Sequence, residues 1–398
     1  MMENGKKQNK KLRIIILIVV AAIILISVAA YFIISFVIGS ITKDYYYSHV
    51  TDTNGYENEY STYGEFYAIG YGFPYEYGMS SVDLEPYHPE NVKNILPKPD
   101  GQPSFIIRNE EDMPVLDGAE AAYPVYAAFA NSCYTGVRDI QLAYSSKLKR
   151  LYEYGGFNGE FDSGKKKLKA PVVFNNTVIA FEDMVKGDCD IFFGARPSES
   201  QKLLAQQNGR ELVATPIGKE AFVFFVSSEN PVDGLSSGQI RGIYSGEISN
   251  WREVGGDRIP VLPFQRPENS GSQTMMQYFM GDTKLMEPTK KSYVSGMGEV
   301  LDSVASFQNK ASSIGYSFRF FATKMAGKEE ERGIKLLSVD GVYPDEKSIA
   351  DGSYPLTTEL YAIYVKDNPN ENVPKFVEWM TGEQGQSIVE QIGYVRVN

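Results

Sequence analysis

From Met113 onward, short apolar runs suited to strands alternate with stretches whose apolar residues recur at helical spacing, and few folds satisfy that alternation. MPVLD (113–117) reads as a strand. AAYPVYAAFANSCY follows as a helix, with Pro124 in its first turn, where a missing N–H costs nothing, and with Val125, Ala128, Phe129 and Ser132 along one face. APVVF (170–174), CDIFFGA (189–195), AFVFFV (221–226), VLPFQ (261–265) and SSIGYSF read as further strands. TVIAFEDMVKG, PSESQKLLAQQNG, LSSGQIRGIYSG and SGSQTMMQYFMG read as helices, and VPKFVEWMTGEQGQSIVEQIG as a terminal helix pair. Polar N-caps such as Ser198 and Ser236 or Ser237 open several of them. The alternation predicts an α/β protein with mostly parallel sheets in two lobes, with ligands held where strands deliver into helix N-termini.

Composition removes several kinds of chemistry. The 398 residues carry 39 basic and 50 acidic side chains, a net charge of −11, so no basic surplus exists to track nucleic-acid phosphates. The only histidines, His49 and His88, precede the region that reads as folded, which argues against a core Ser-His-Asp triad or a His-rich zinc site. Two cysteines, Cys133 and Cys189, build neither a four-thiolate metal site nor a disulfide scaffold; buried free thiols are expected, and an exterior setting leaves a disulfide open. HExxH, G-x-S-x-G and dense Asp clusters are missing, and neither enzyme activity nor any metal or cofactor is expected.

The charge is unevenly spread. Residues 1–13 carry Lys6, Lys7, Lys10, Lys11 and Arg13 against Glu3, a local +4, leaving −15 for the remainder. Residues 14–38 follow without one charge. As a helix they would span roughly 37 Å, enough to cross a ~30 Å hydrocarbon core. The expectation is an uncleaved transmembrane helix with a cytoplasmic basic tip and everything beyond about residue 40 outside the cell. Residues 39–108 read as a Tyr-rich juxtamembrane spacer, with ten tyrosines between residues 44 and 78, closing in a Pro-rich linker, NILPKPDGQP (94–103).

A longer run carries a resemblance. Residues 230–281 hold Asn230-Pro231, Leu235, Gln239, Ile243-Tyr244-Ser245-Gly246, Asn250-Trp251, Gly255-Gly256, Arg266 and Ser270-Gly271-Ser272 in order. DGAEAAYPVYAAFA and GDCDIFFGARPSESQ precede them; SSIGYSF, VDGVYPDEKSIADGSYPLTTELY and MTGEQGQSIVEQIGYVRV follow. Together these pieces resemble the phosphate-binding protein family of bacterial phosphate ABC transporters, from about residue 113 to 398. The resemblance implies a two-lobed, type II periplasmic-binding-protein-like α/β fold over 109–398, with lobe one at about 109–213 and 335–398 and lobe two at about 214–334. With the apolar run as anchor, it implies a membrane-anchored monomer outside a cell of the Gram-positive type that hands inorganic phosphate or a related oxyanion to ABC transporter permease subunits. A second reading keeps the fold and makes it a ligand sensor or surface interaction protein.

The residue chemistry agrees with an oxyanion. Ser270, Gly271 and Ser272 open a helix, where backbone N–H groups and the dipole favour negative charge, and Arg266 stands four residues upstream, where a planar guanidinium can clamp two oxygens. The plain alternative makes SGS an ordinary helix cap and Arg266 half of a surface ion pair. By the resemblance, Ala119, Glu120, Ala121 and Ala122 match the first ligand loop, Thr177 is a candidate third donor or else an ordinary N-cap, and Arg196 is a candidate further positive charge at the ligand. The family's first loop usually carries hydroxyls, so Glu120 replaces neutral donors with a carboxylate.

Overall fold

The computed structural model of the chain describes residues 82–144, 170–289, 292–294, 296–306 and 311–397. The apolar run 14–38 and the Tyr-rich stretch up to residue 81 lie outside them. Among the described residues no helix is long and apolar enough to cross a membrane.

The described residues form nine strands: β1 Leu116–Gly118, β2 Ile191–Gly194, β3 Leu212–Ser227, β4 Gly234–Leu235, β5 Leu262–Pro263, β6 Ser313–Phe318, β7 Ile334–Leu336, β8 Ser338–Val339 and β9 Thr357–Val365. Seven form one sheet in the order β1-β2-β9-β3-β6-β5, with β7 also on β3; β4 and β8 pair separately. The β1–β2, β5–β6 and β4–β8 pairs are parallel, whereas β2–β9, β3–β9, β3–β6 and β3–β7 are antiparallel. This corrects the expectation of mostly parallel sheets. The expected AFVFFV is the second part of a 16-residue strand that pairs with β9 over Leu212–Ala221 and with β6 over Phe222–Val226. Both β6 and β9 return to this strand in the opposite direction after long excursions that include helices, so strand–helix alternation was a poor guide to direction. VLPFQ shrinks to β5, and APVVF contributes only a bridge between Leu116 and Val172.

Two main cores flank this junction. Leu116, Tyr126, Phe129, Phe193, Phe376 and Ile388 pack together on the β1–β2–β9 side. Phe224, Tyr244, Trp251, Met276, Leu301 and Tyr316 pack together on the β6 side, where Tyr244 and Trp251 serve as core residues. Ile334 to Tyr354 also belong to the second core, so the chain returns to the first side with β9 and not near residue 335. Cys133 and Cys189 are buried and unpaired with each other.

The stretch before residue 109 is less spacer-like than its composition suggests. Leu84, Leu96 and Ile107 are buried in the first core, and Ile107 exchanges backbone hydrogen bonds with the Cys133–Thr135 turn. Gln384 holds the Pro-rich segment through the Ser104 N–H (2.8 Å) and the Gln102 carbonyl (3.0 Å). His88 meets the Tyr123 ring edge-on at 5.5 Å, and burial lowers its pKa despite Glu90, Glu85 and Asp83 nearby. The view that no histidine belongs to the folded region is therefore wrong for His88. These anchors are aperiodic, which is why neither helical nor strand spacing disclosed them.

Two buried carboxyl side chains sit at structural crossings. Asp117, at the end of β1, accepts from the Gly118 N–H (2.8 Å), the Asn175 N–H (2.8 Å) and Asn175 Nδ2 (2.6 Å). Glu220, where β3 passes from one core to the other, accepts from the N–H groups of Ala221 (2.8 Å) and Phe320 (3.2 Å). Gly118 is required by close approach: a Cβ there would lie 2.2 Å from the Phe193 carbonyl oxygen. Backbone offers no rotamer escape, so Gly118→Ala is expected to destabilise by about 2–3 kcal/mol, read as a lower urea midpoint at unchanged slope. An unchanged midpoint would show that β1 and β2 are not held this closely.

Candidate functional site

Arg266 leaves the end of the β5 segment toward the N-terminus of the helix Gly271–Met280. Its backbone N–H donates to Gln273 Oε1 (3.1 Å) and the Tyr316 hydroxyl (3.2 Å), and Tyr316 in turn donates to Gln273 Oε1. Its Nη1 donates to Ser272 Oγ at 3.0 Å. The guanidinium is therefore fixed at a helix N-terminus, where dipole and donors favour an anion. Burial lowers its pKa, while Tyr316, Glu120 and Glu299 favour the charged form. Arginine stays protonated regardless.

Ser270 is the N-cap residue of this helix, yet its side chain makes no capping hydrogen bond. Its Oγ, like Thr274 Oγ1 one turn further on, is buried without a hydrogen-bond partner among the described residues. Buried hydroxyls normally find a partner, so two unbonded ones beside an arginine leave bonding capacity for a ligand. The reading of SGS as an ordinary cap fails on this point, because a capping Ser270 would spend its hydroxyl on the helix.

Residues from the other core complete the arrangement. The helix Thr177–Lys186 is capped by Asn176, whose side chain accepts from the Val178 and Ile179 N–H groups. Thr177 is therefore not needed as the cap. Its Oγ1 lies 3.5 Å from where a Cβ on Gly271 would stand, so helix N-termini from both cores meet here. Glu120, half-buried, opens the 3-10 turn Glu120–Ala122, and its charge favours the protonated form of Arg266.

The remaining expected residues are placed less favourably. The Ala119 N–H donates to the Phe193 carbonyl (2.7 Å) and the Ala122 N–H to the Ala119 carbonyl (2.9 Å), which commits two first-loop donors to the protein itself. Ala121 is buried, and its carbonyl accepts from the Tyr394 hydroxyl (2.8 Å). Arg196 is exposed, with its guanidinium 5.4 Å from the Tyr278 ring centroid. Thr274, Gln273 and Tyr316 were not anticipated. The available signal was three consecutive polar residues, Ser272 to Thr274, all buried on a helix. Among the described residues no group of three or more His, Cys, Asp or Glu side chains could hold a metal ion.

A mixed α/β fold whose two cores share long strands, with helix N-termini meeting near one arginine, is a periplasmic-binding-protein-like fold. The chain belongs to the PBP superfamily, whose domain matches residues 138–384. It is 25% identical to the phosphate-binding protein PstS of Borreliella burgdorferi over 192 residues, which cover 48% of this chain and 67% of that one. It is 28% identical to PstS of Bacillus subtilis over 182 residues, covering 44% of this chain and 56% of the relative. The matches thus span between about half and two thirds of these relatives' lengths. A candidate phosphate ABC transporter substrate-binding protein from Clostridium perfringens, solved with phosphate bound, superposes with a TM-score of 0.50 at 20% identity, covering 72% of this chain and 99% of that one, and supports the fold.

Proposed function

We propose that this chain is a membrane-anchored, outward-facing solute-binding protein of type II architecture. It captures an oxyanion, inorganic phosphate first, in a cleft between two lobes and presents it to ABC transporter permease subunits. The observation that carries this reading is the Arg266 guanidinium bonded to Ser272 beside two buried, unbonded hydroxyls, Ser270 and Thr274, with Thr177 meeting Gly271 from the opposite lobe. β3 and β9 would serve as the two crossings on which the lobes turn. The anion would be held by Arg266, Ser270, Gly271, Ser272 and Thr177, and no bond would be made or broken. The apolar run 14–38 would fix the chain to the cell membrane with its C-terminal region outside.

Calorimetry of the full-length protein in detergent micelles, titrated with phosphate and with sulfate, tests this. Micromolar or tighter binding of phosphate is expected; no heat with either oxyanion would sink the proposal.

Glu120 gives the sensor reading its support, since a carboxylate acting on Arg266 opposes any fully ionised anion placed there. Removing that charge in Glu120→Gln is expected to tighten phosphate binding about tenfold at pH 8, where the anion is mostly divalent. A weaker affinity would instead make Glu120 a hydrogen-bond acceptor for the ligand.

A further inference from the structure

We propose that Asn269 and Tyr278 form a clasp across the cleft, outside the anion donors, and that this clasp sets how long the closed lobes stay together. The inference rests on the reading of two lobes that close, but it concerns residues with no part in holding the anion.

Two separate points of contact join residues 196–202 on the first side to residues 269–278 on the second. At one, the Asn269 side-chain oxygen accepts from the hydroxyls of Ser198 (2.9 Å) and Ser200. Ser198 is itself fixed: it caps the helix Glu199–Gln207, accepting from the Gln201 N–H (3.1 Å) while its own N–H donates to Gln201 Oε1 (2.9 Å). At the other, the Tyr278 hydroxyl donates to the Pro197 carbonyl at 2.8 Å and accepts from Lys202 Nζ at 3.3 Å. Arg196 and Lys202 lie 5.4 and 5.8 Å from the Tyr278 ring centroid, and Glu199 tethers Lys202 at 2.7 Å.

Every one of these bonds joins protein groups, so the clasp contributes to closure whichever anion is held. It is also coupled to the donors. Asn269 has a left-handed backbone, φ +66°, immediately before Ser270, a conformation that asparagine tolerates better than most residues. Its side chain reaches Ser198 and Ser200 only while the lobes are together, so opening frees the backbone that leads into Ser270. The exposed Arg196 and Lys202 contacts add little by comparison with the two hydroxyl bonds.

Bound ligand leaves only after the lobes part, so loss of the clasp should speed its release. Asn269→Gly removes the acceptor while keeping the left-handed backbone accessible, and Tyr278→Phe removes only a hydroxyl, so both variants should fold; matching thermal melts check this. In full-length protein, spin labels at Gln207→Cys and Lys284→Cys, both exposed, report lobe separation, since Cys133 and Cys189 are buried. Without added anion, the parent should give a dominant short distance, and the Asn269→Gly/Tyr278→Phe double variant should gain a longer population. Identical distributions would overturn the clasp. With inorganic phosphate, each single variant should release the ion about tenfold faster. Parental release rates in both would overturn it too. If the label distances shift as expected but phosphate gives no binding, the clasp stands and the oxyanion reading falls.

Discussion

Arg266→Ala should weaken phosphate binding at least a hundredfold while leaving the fold intact. Among the described residues, the guanidinium is the cationic group held at the N-terminus of the helix Gly271–Met280, through Ser272 on its side chain and through Gln273 and Tyr316 on its backbone. A charge-assisted hydrogen bond contributes roughly 1.5–3 kcal/mol, and a bidentate clamp supplies two, so a loss of two or more orders of magnitude in affinity follows. The backbone bonds to Gln273 and Tyr316 survive the truncation, which is why stability should change little. Calorimetry with phosphate measures the loss, and an affinity within threefold of the parent would remove Arg266 from the site. Arg266→Lys should recover only part of the binding, since an ammonium cannot reproduce the fork.

Stability should fall as the pH rises from about 4 to 7, by several kcal/mol, because two buried carboxyls hold their protons in the folded chain. Burial raises Asp117 from 3.8 to about 7, with Asp183 adding to the shift and the Asn175 and Gly118 hydrogen bonds opposing it. Burial raises Glu220 from 4.5 to about 7, against the hydrogen bonds from Ala221 and Phe320 and the nearby Arg319 charge. In the unfolded chain both ionise near their ordinary values, so between those values and about 7 the folded chain binds more protons and loses stability with rising pH. The contribution is whole below the unfolded values and gone above about 7, on the order of 3 kcal/mol for each group. Asp340, Asp345 and Asp351, whose pKa values are lowered by local hydrogen bonds, act in the opposite sense and in a lower window, below the usual carboxylate range. Urea midpoints between pH 4.5 and 8 test this. Asp117→Asn and Glu220→Gln should each flatten the curve, and a parent curve already flat over that range would refute the assignment.

The elements that could be read from sequence are those written locally. Ser198 with Gln201, and Ser236 with Gln239, form capping boxes that mark helix starts to the residue, and Pro124 falls in the first turn of its helix as expected. Strand direction was not local: β3 pairs with β9 across more than a hundred intervening residues, and nothing in AFVFFV reveals which neighbour it will meet. The site divides in the same way. Arg266, Ser270, Ser272 and Thr177 came from a linear pattern and the structure brings them together, whereas Tyr316 reaches Arg266 from a distant strand. Asp117 and Glu220 each stood as a lone acid beside an apolar run, a legible sign of a buried carboxyl that composition alone could not distinguish from an edge residue.

The passage of β3 through both cores has a consequence for the order in which the chain can mature. The second core is built almost entirely from residues between β3 and β9, so it is complete before β9 is made. The first core must wait, because Phe376, Trp379, Ile388 and Tyr394 close it from the far end of the chain. During synthesis the earlier residues therefore keep their apolar faces open until the later half has folded. Truncation anywhere after β9 but before Ile388 should leave one finished lobe attached to an unfinished one.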